Sequence, residues 1–69
     1  MTPDEYRTAI AALGLSQARA AELLGVDART SRRWACGERD VPPPVARFLR
    51  YLIATGKSGD YAVRRLASA

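Results

Sequence analysis

This sequence predicts an all-α fold, a small bundle of four to five helices, and three observations carry that prediction. Apolar residues recur at helical spacing: Tyr6, Ile10 and Leu13 in one segment, Val45, Phe48, Leu49, Leu52 and Ile53 in another. Alanine is abundant and β-branched residues are few, which favours helix over strand. Gly14, Gly25, Gly37 and Gly56 each follow a helical run, where a left-handed residue ends a helix. The 69 residues are read as one domain, 1–69, with a small core.

The first helix is expected over residues 3–13. Thr2 and Glu5 have the spacing of a capping box, Pro3 suits the first helical position, and Asp4 and Glu5 complement the dipole. Tyr6, Ala9, Ile10 and Leu13 make its inner face, and Leu15 packs the junction that follows. A second helix runs from Gln17 to Leu24, with Ser16 as N-cap and Gly25 at its end. Ala21, four residues before Gly25, is small enough to let the next helix cross closely, and Ala20 adds to the inner face.

Asp27 caps a third helix, Ala28 to about Cys36, which Gly37 closes. Trp34 is its one large apolar anchor and meets Leu24 and Val26 across the seam. Ser31, three residues earlier, falls on the same inward side, where its hydroxyl can bond back to a carbonyl of the preceding turn. Residues 16–37 thus form a helix-turn-helix, with a three-residue turn and Arg29, Arg32 and Arg33 on the outer surface of the second helix.

Residues 38–44 read as a Pro-rich spacer, because a residue before proline is pushed out of the α region. Helix 4, about 44–55, turns Val45, Phe48, Leu49, Leu52 and Ile53 inward and Arg47, Arg50 and Tyr51 outward. Asp60 is the expected cap of a short helix over about 60–67, whose few apolar residues give it a marginal hold on the core.

Charge is uneven. Residues 1–27 carry two basic and four acidic side chains, whereas residues 28–69 carry nine basic and three acidic ones. A positive end on a small domain suits a phosphate-rich partner. Other classes fit poorly. No apolar run approaches the ~20 residues of a membrane span, and the acidic start MTPDEYR lacks the order of a signal peptide, so a cytoplasmic protein is expected. There is no histidine, the commonest general base, and no phosphate-cradling glycine loop, so no enzyme, cofactor or small-molecule substrate is expected. Cys36 is the single cysteine, so neither an internal disulfide nor a Cys/His metal site is available, and it reads as a buried or half-buried structural thiol.

From Leu15 to Gly37, LSQARAAELLGVDARTSRRWACG, the chain resembles the Cro/phage-repressor (XRE-like) family of helix-turn-helix proteins, and the likeness extends loosely to about Leu52. The Ser-Gln start, the alanine-to-glycine spacing, the Gly-Val turn and the Arg-Trp-x-x-Gly ending carry it. The resemblance implies a lambda-repressor-like five-helix bundle whose third helix enters the major groove. It implies base contacts from Ala28, Arg29 and Arg33, with Arg32 at the edge and closer to phosphate. It also implies a phosphate contact from Gln17 and backbone contact by Gly37 to Arg39. Ser31 and Ala28 depart from the family pattern: the first stands where it has a buried valine or isoleucine, the second where glutamine or serine is frequent. Ala28 is thereby limited to a thymine methyl.

Arginine offers a planar fork that matches guanine O6 and N7, which lysine cannot imitate, and helix 3 holds three arginines and no lysine. Arg39 and Arg47, near loop ends and helix starts, are further phosphate candidates. Two functions stay open at this point. One is a sequence-specific transcriptional regulator, such as a repressor, binding double-stranded DNA as a homodimer on a two-fold operator. The other is an antitoxin-like or accessory protein-interaction module whose arginines meet an acidic partner.

Overall fold

A computed structural model describes residues 1–67 of the chain, so the last two residues of the expected domain 1–69 lie outside it. The described residues form five α-helices and no strand: α1 Pro3–Ala12, α2 Gln17–Leu24, α3 Ala28–Cys36, α4 Pro43–Thr55 and α5 Gly59–Ala67.

The local signals explain most boundaries. The Thr2–Glu5 capping box forms, and α1 stops at Ala12 with Leu13 as its C-cap, one residue earlier than expected. Ser16 accepts from the Arg19 amide and Asp27 from the Thr30 amide, so α2 and α3 start where their caps stand. Gly25 and Gly37 close them at φ +70° and +82°. The turn between them is tied by the Val26 amide donating to the Ala21 carbonyl at 3.1 Å.

The core lies where α1, α2 and α3 meet, closed by α4 and α5. Tyr6, Ala9, Ile10 and Leu13 are buried as the α1 spacing requires, with Leu15, Ala20, Ala21 and Trp34. Trp34 meets Tyr6 edge-on, with ring centroids 5.8 Å apart, a favoured arrangement for aromatic pairs. On α2 it is Leu23 that is fully buried, while Leu24 and Val26 are half-buried at the edge of the core. The connector between α3 and α4 contributes Val41, which is buried in the core.

Five expectations need correction. Ser31 is completely buried, as its register requires, but its hydroxyl bonds the Tyr6 hydroxyl at 2.6 Å and no carbonyl of the preceding turn. The buried face of α3 is thus Ser31, Trp34 and Ala35, with Trp34 its one large apolar side chain. Ile53 is 42 % exposed, and Ala46, Leu49 and Leu52 form the buried row of α4 with Val45 and Phe48 beside it. Helix α5 starts at Gly59, with Ser58 accepting from the Tyr61 amide. The Asp60 carboxylate instead joins Arg19 of α2 at 2.8 Å and also Arg64. With Ala62 and Val63 buried as well, α5 is tied to the core more firmly than its composition suggests. Cys36 is exposed, on the face of α3 opposite Trp34.

The Tyr6–Ser31 pair reverses the simple expectation that a larger apolar side chain helps a buried position. Ser31→Val should destabilise the protein by about 1–3 kcal/mol, since it orphans the Tyr6 hydroxyl and crowds it. The double change Tyr6→Phe with Ser31→Ala should cost less than the two single costs added together. Thermal melting of the four proteins checks this; additive costs would show that the bond does not couple α1 to α3.

Acid should loosen the helix starts and the α2–α5 tie. Glu5 is held below its ordinary value of 4.5 by the Thr2 backbone and hydroxyl. Asp27 is held below 3.8 by Thr30, and Asp60 below 3.8 by Arg64 and Arg19. Each group is ionised more readily folded than unfolded, so its contribution is complete above the ordinary value and is lost as pH falls through the lowered one. The melting temperature should therefore be level at neutral pH and decline below about pH 4.5. A melting temperature that rises on acidification would contradict these carboxylate roles.

Candidate nucleic-acid interface

Helix α3 is presented by one side only. Ser31, Trp34 and Ala35 face the core, and Ala28, Arg29, Arg32 and Cys36 lie exposed on the other side with Arg33 half-buried at its edge. This division follows from 3.6 residues per turn: once Trp34 is buried, the positions around Arg29 and Arg32 must point away. The helix is fixed at both ends. Asp27 accepts from both the amide and the hydroxyl of Thr30 at 2.8 Å. At the other end the Arg7 guanidinium donates to the Ala35 carbonyl while also pairing with Asp4, placing a cation at a helix C-terminus.

The arginines differ in their freedom. Arg29 and Arg32 form no ion pair among the described residues, and neither do Arg39 and Arg47. Arg33 is loosely held, its Nε 3.8 Å from a Glu38 carboxylate oxygen. The loop after α3 folds back on its end, where the Glu38 amide donates to the Arg33 carbonyl at 2.9 Å. Arg39, whose amide points to the same carbonyl at 3.4 Å, stands beside a polar notch that Thr30, Trp34 and Pro42 also line.

Ala28, Arg29, Arg32 and Arg33 are thus brought together on one stripe, and Arg39 joins it at the C-terminal end. Gln17 and Arg47 are exposed on other helices, and among the described residues neither shares a hydrogen bond or ion pair with the stripe. Gln17 occupies the first position of α2, where amides lack partners within the helix and suit an anion. Arg47 lies on α4, two positions before half-buried Phe48's successor Leu49, on the outer side of that helix.

Thr30 and Glu38 were not singled out by the sequence. The Asp-x-x-Thr spacing from Asp27 was a legible sign for Thr30; the Glu38 contact depends on how the loop folds back. Among the described residues, no group of three or more His, Cys, Asp or Glu side chains could hold a metal ion, and no helix is long and apolar enough to cross a membrane.

Comparison with protein-family models, curated proteins and solved structures finds no match to this chain.

Proposed function

We propose that this chain is a sequence-specific DNA-binding protein of the Cro/phage-repressor (XRE-like) helix-turn-helix type, acting in the cytoplasm as a transcriptional regulator without enzymatic activity. The observation that carries the reading is the outer stripe of α3. It is exposed and backed by the core, and its Arg29 and Arg32 side chains form no hydrogen bond or ion pair among the described residues, although Arg29 stands near enough to Asp27 to help hold that carboxyl ionised. An arginine whose guanidinium makes no hydrogen bond within the protein has its planar fork available for a guanine edge. In this reading α3 enters the major groove, Ala28, Arg29 and Arg33 meet base edges, and Arg32, Arg39, Arg47 and Gln17 meet phosphates. A homodimer would place two such helices on half-sites about 34 Å apart.

Binding-site selection from random duplex DNA tests the reading. Arg29→Ala should cost about 1–3 kcal/mol on the selected site and relax the preference at one base pair per half-site. Arg39→Ala should weaken all sequences about equally and lower the salt slope by about one. With about four to six phosphates neutralised per subunit, log K should fall against log salt with a slope of roughly −4 to −5. A flat salt response would remove the nucleic-acid reading, and an Arg29 variant that kept the full base preference would remove α3 from the groove.

A further inference from the structure

A second surface stands apart from α3. Helices α4 and α5 enclose an open groove whose floor is apolar, built from Phe48, Leu52 and Ala62, with Leu66 along its length. Tyr51, Tyr61 and Leu66 stand over it at 64 %, 46 % and 51 % exposure, a cluster of large apolar side chains that the fold itself leaves uncovered. Scattered apolar residues on a surface are ordinary, but a contiguous set around a groove marks a contact surface.

Its border is of one sign. Among the described residues Lys57 and Arg65 line the groove and no carboxylate does. The Lys57 ammonium lies 5.1 Å from the centre of the Tyr61 ring, which holds the cation at the groove's edge. The Thr55 hydroxyl already donates to the Leu52 carbonyl at 2.8 Å. The polar demand of the site is therefore for acceptors and negative charge.

That chemistry discriminates between occupants. A second copy docked groove to groove would bring two positively charged borders together, and like charges across an interface oppose association. A small anionic amphiphile needs enclosure of most of its surface, whereas this groove is open along the helix pair. An amphipathic segment fits both features, laying its apolar side on the floor in the helix-in-groove manner.

We infer that the α4–α5 groove docks an acidic amphipathic segment of a partner protein, with apolar anchors seated over Phe48 and Leu52 and carboxylates meeting Lys57 and Arg65. The inference does not rest on the DNA reading, because none of these residues belongs to α3.

The test is a selection from a random peptide library displayed on phage, made against the intact protein and repeated with two variants, Leu66→Ser and the pair Lys57→Glu with Arg65→Glu. These positions are exposed, so the variants should melt close to the wild type, and melting is measured first. The expected result is enrichment of peptides that combine leucine or aromatic anchors with aspartate and glutamate. As free synthetic peptides these should bind the wild type at least about tenfold more tightly than either variant. Three outcomes would overturn the inference: no enriched peptide, enriched peptides without acidic residues, or peptides that bind all three proteins equally. Sedimentation of the protein alone adds a fourth. Self-association that Leu66→Ser abolishes would make a second copy the occupant. Site selection on DNA, run with the same variants, reports separately on α3.

Discussion

Trp34→Ala should leave the protein unfolded or without fixed tertiary packing at room temperature. Trp34 is buried on α3, meets Tyr6 edge-on and fills the space between α1, α2 and α3. Its removal costs about 3–5 kcal/mol through lost burial and the cavity left behind. A small domain has a total stability of about 5 kcal/mol, so the loss consumes most of it. The other buried side chains of α3, Ser31 and Ala35, are too small to hold the helix in place. Trp34→Phe keeps an aromatic edge near Tyr6 and should fall between the two. Circular dichroism during thermal melting checks the series, and a cooperative transition for Trp34→Ala near that of the wild type would show that α3 does not depend on this anchor.

Gly59→Ala should destabilise the protein by about 1–3 kcal/mol, although alanine is the better helix former. Gly59 is the first residue of α5 and is buried, its amide donating to the Leu13 carbonyl at 2.8 Å. A β-carbon there would lie 2.3 Å from Leu15 Cγ and 2.6 Å from both its methyl carbons. The Leu15 branch point is itself buried in the core and cannot swing aside without moving its neighbours. At an exposed helix position the same substitution would stabilise by about 0.5–1 kcal/mol, so the sign of the effect decides the matter. Combining it with Leu15→Ala, which clears the space, should cost less than the two changes added together. Melting temperatures of the three variants measure this, and a stabilised Gly59→Ala protein would show that α5 does not approach Leu15 so closely.

Much of the architecture was legible in the residues because it is local. Caps at Thr2, Ser16 and Asp27 act over three or four residues, and left-handed glycines act at a single one, so α2 and α3 could be placed to the residue. The outer stripe of α3 was legible for the same reason: with Trp34 inward, helical geometry carries Arg29 and Arg32 outward. What could not be read involved partners distant along the chain. Ser31 looked like a fault in an apolar face until Tyr6, 25 residues away, supplied its hydrogen bond. Asp60 looked like a cap, and its carboxylate was instead claimed by Arg19 across 41 residues. Ile53 continued the apolar stripe of α4, yet the buried row is Ala46, Leu49 and Leu52, a choice set by how α4 meets the helices it packs on. Cys36 is the exception, since its register two residues after Trp34 places it outward by the same local geometry, against the burial expected from its residue type. Residue type, spacing and charge by themselves determined the helices and the basic outer face of α3. Only the tertiary structure decided which polar groups pair across the core, which apolar residues stay uncovered on α4 and α5, and where glycine alone fits, because each depends on two distant segments meeting in space.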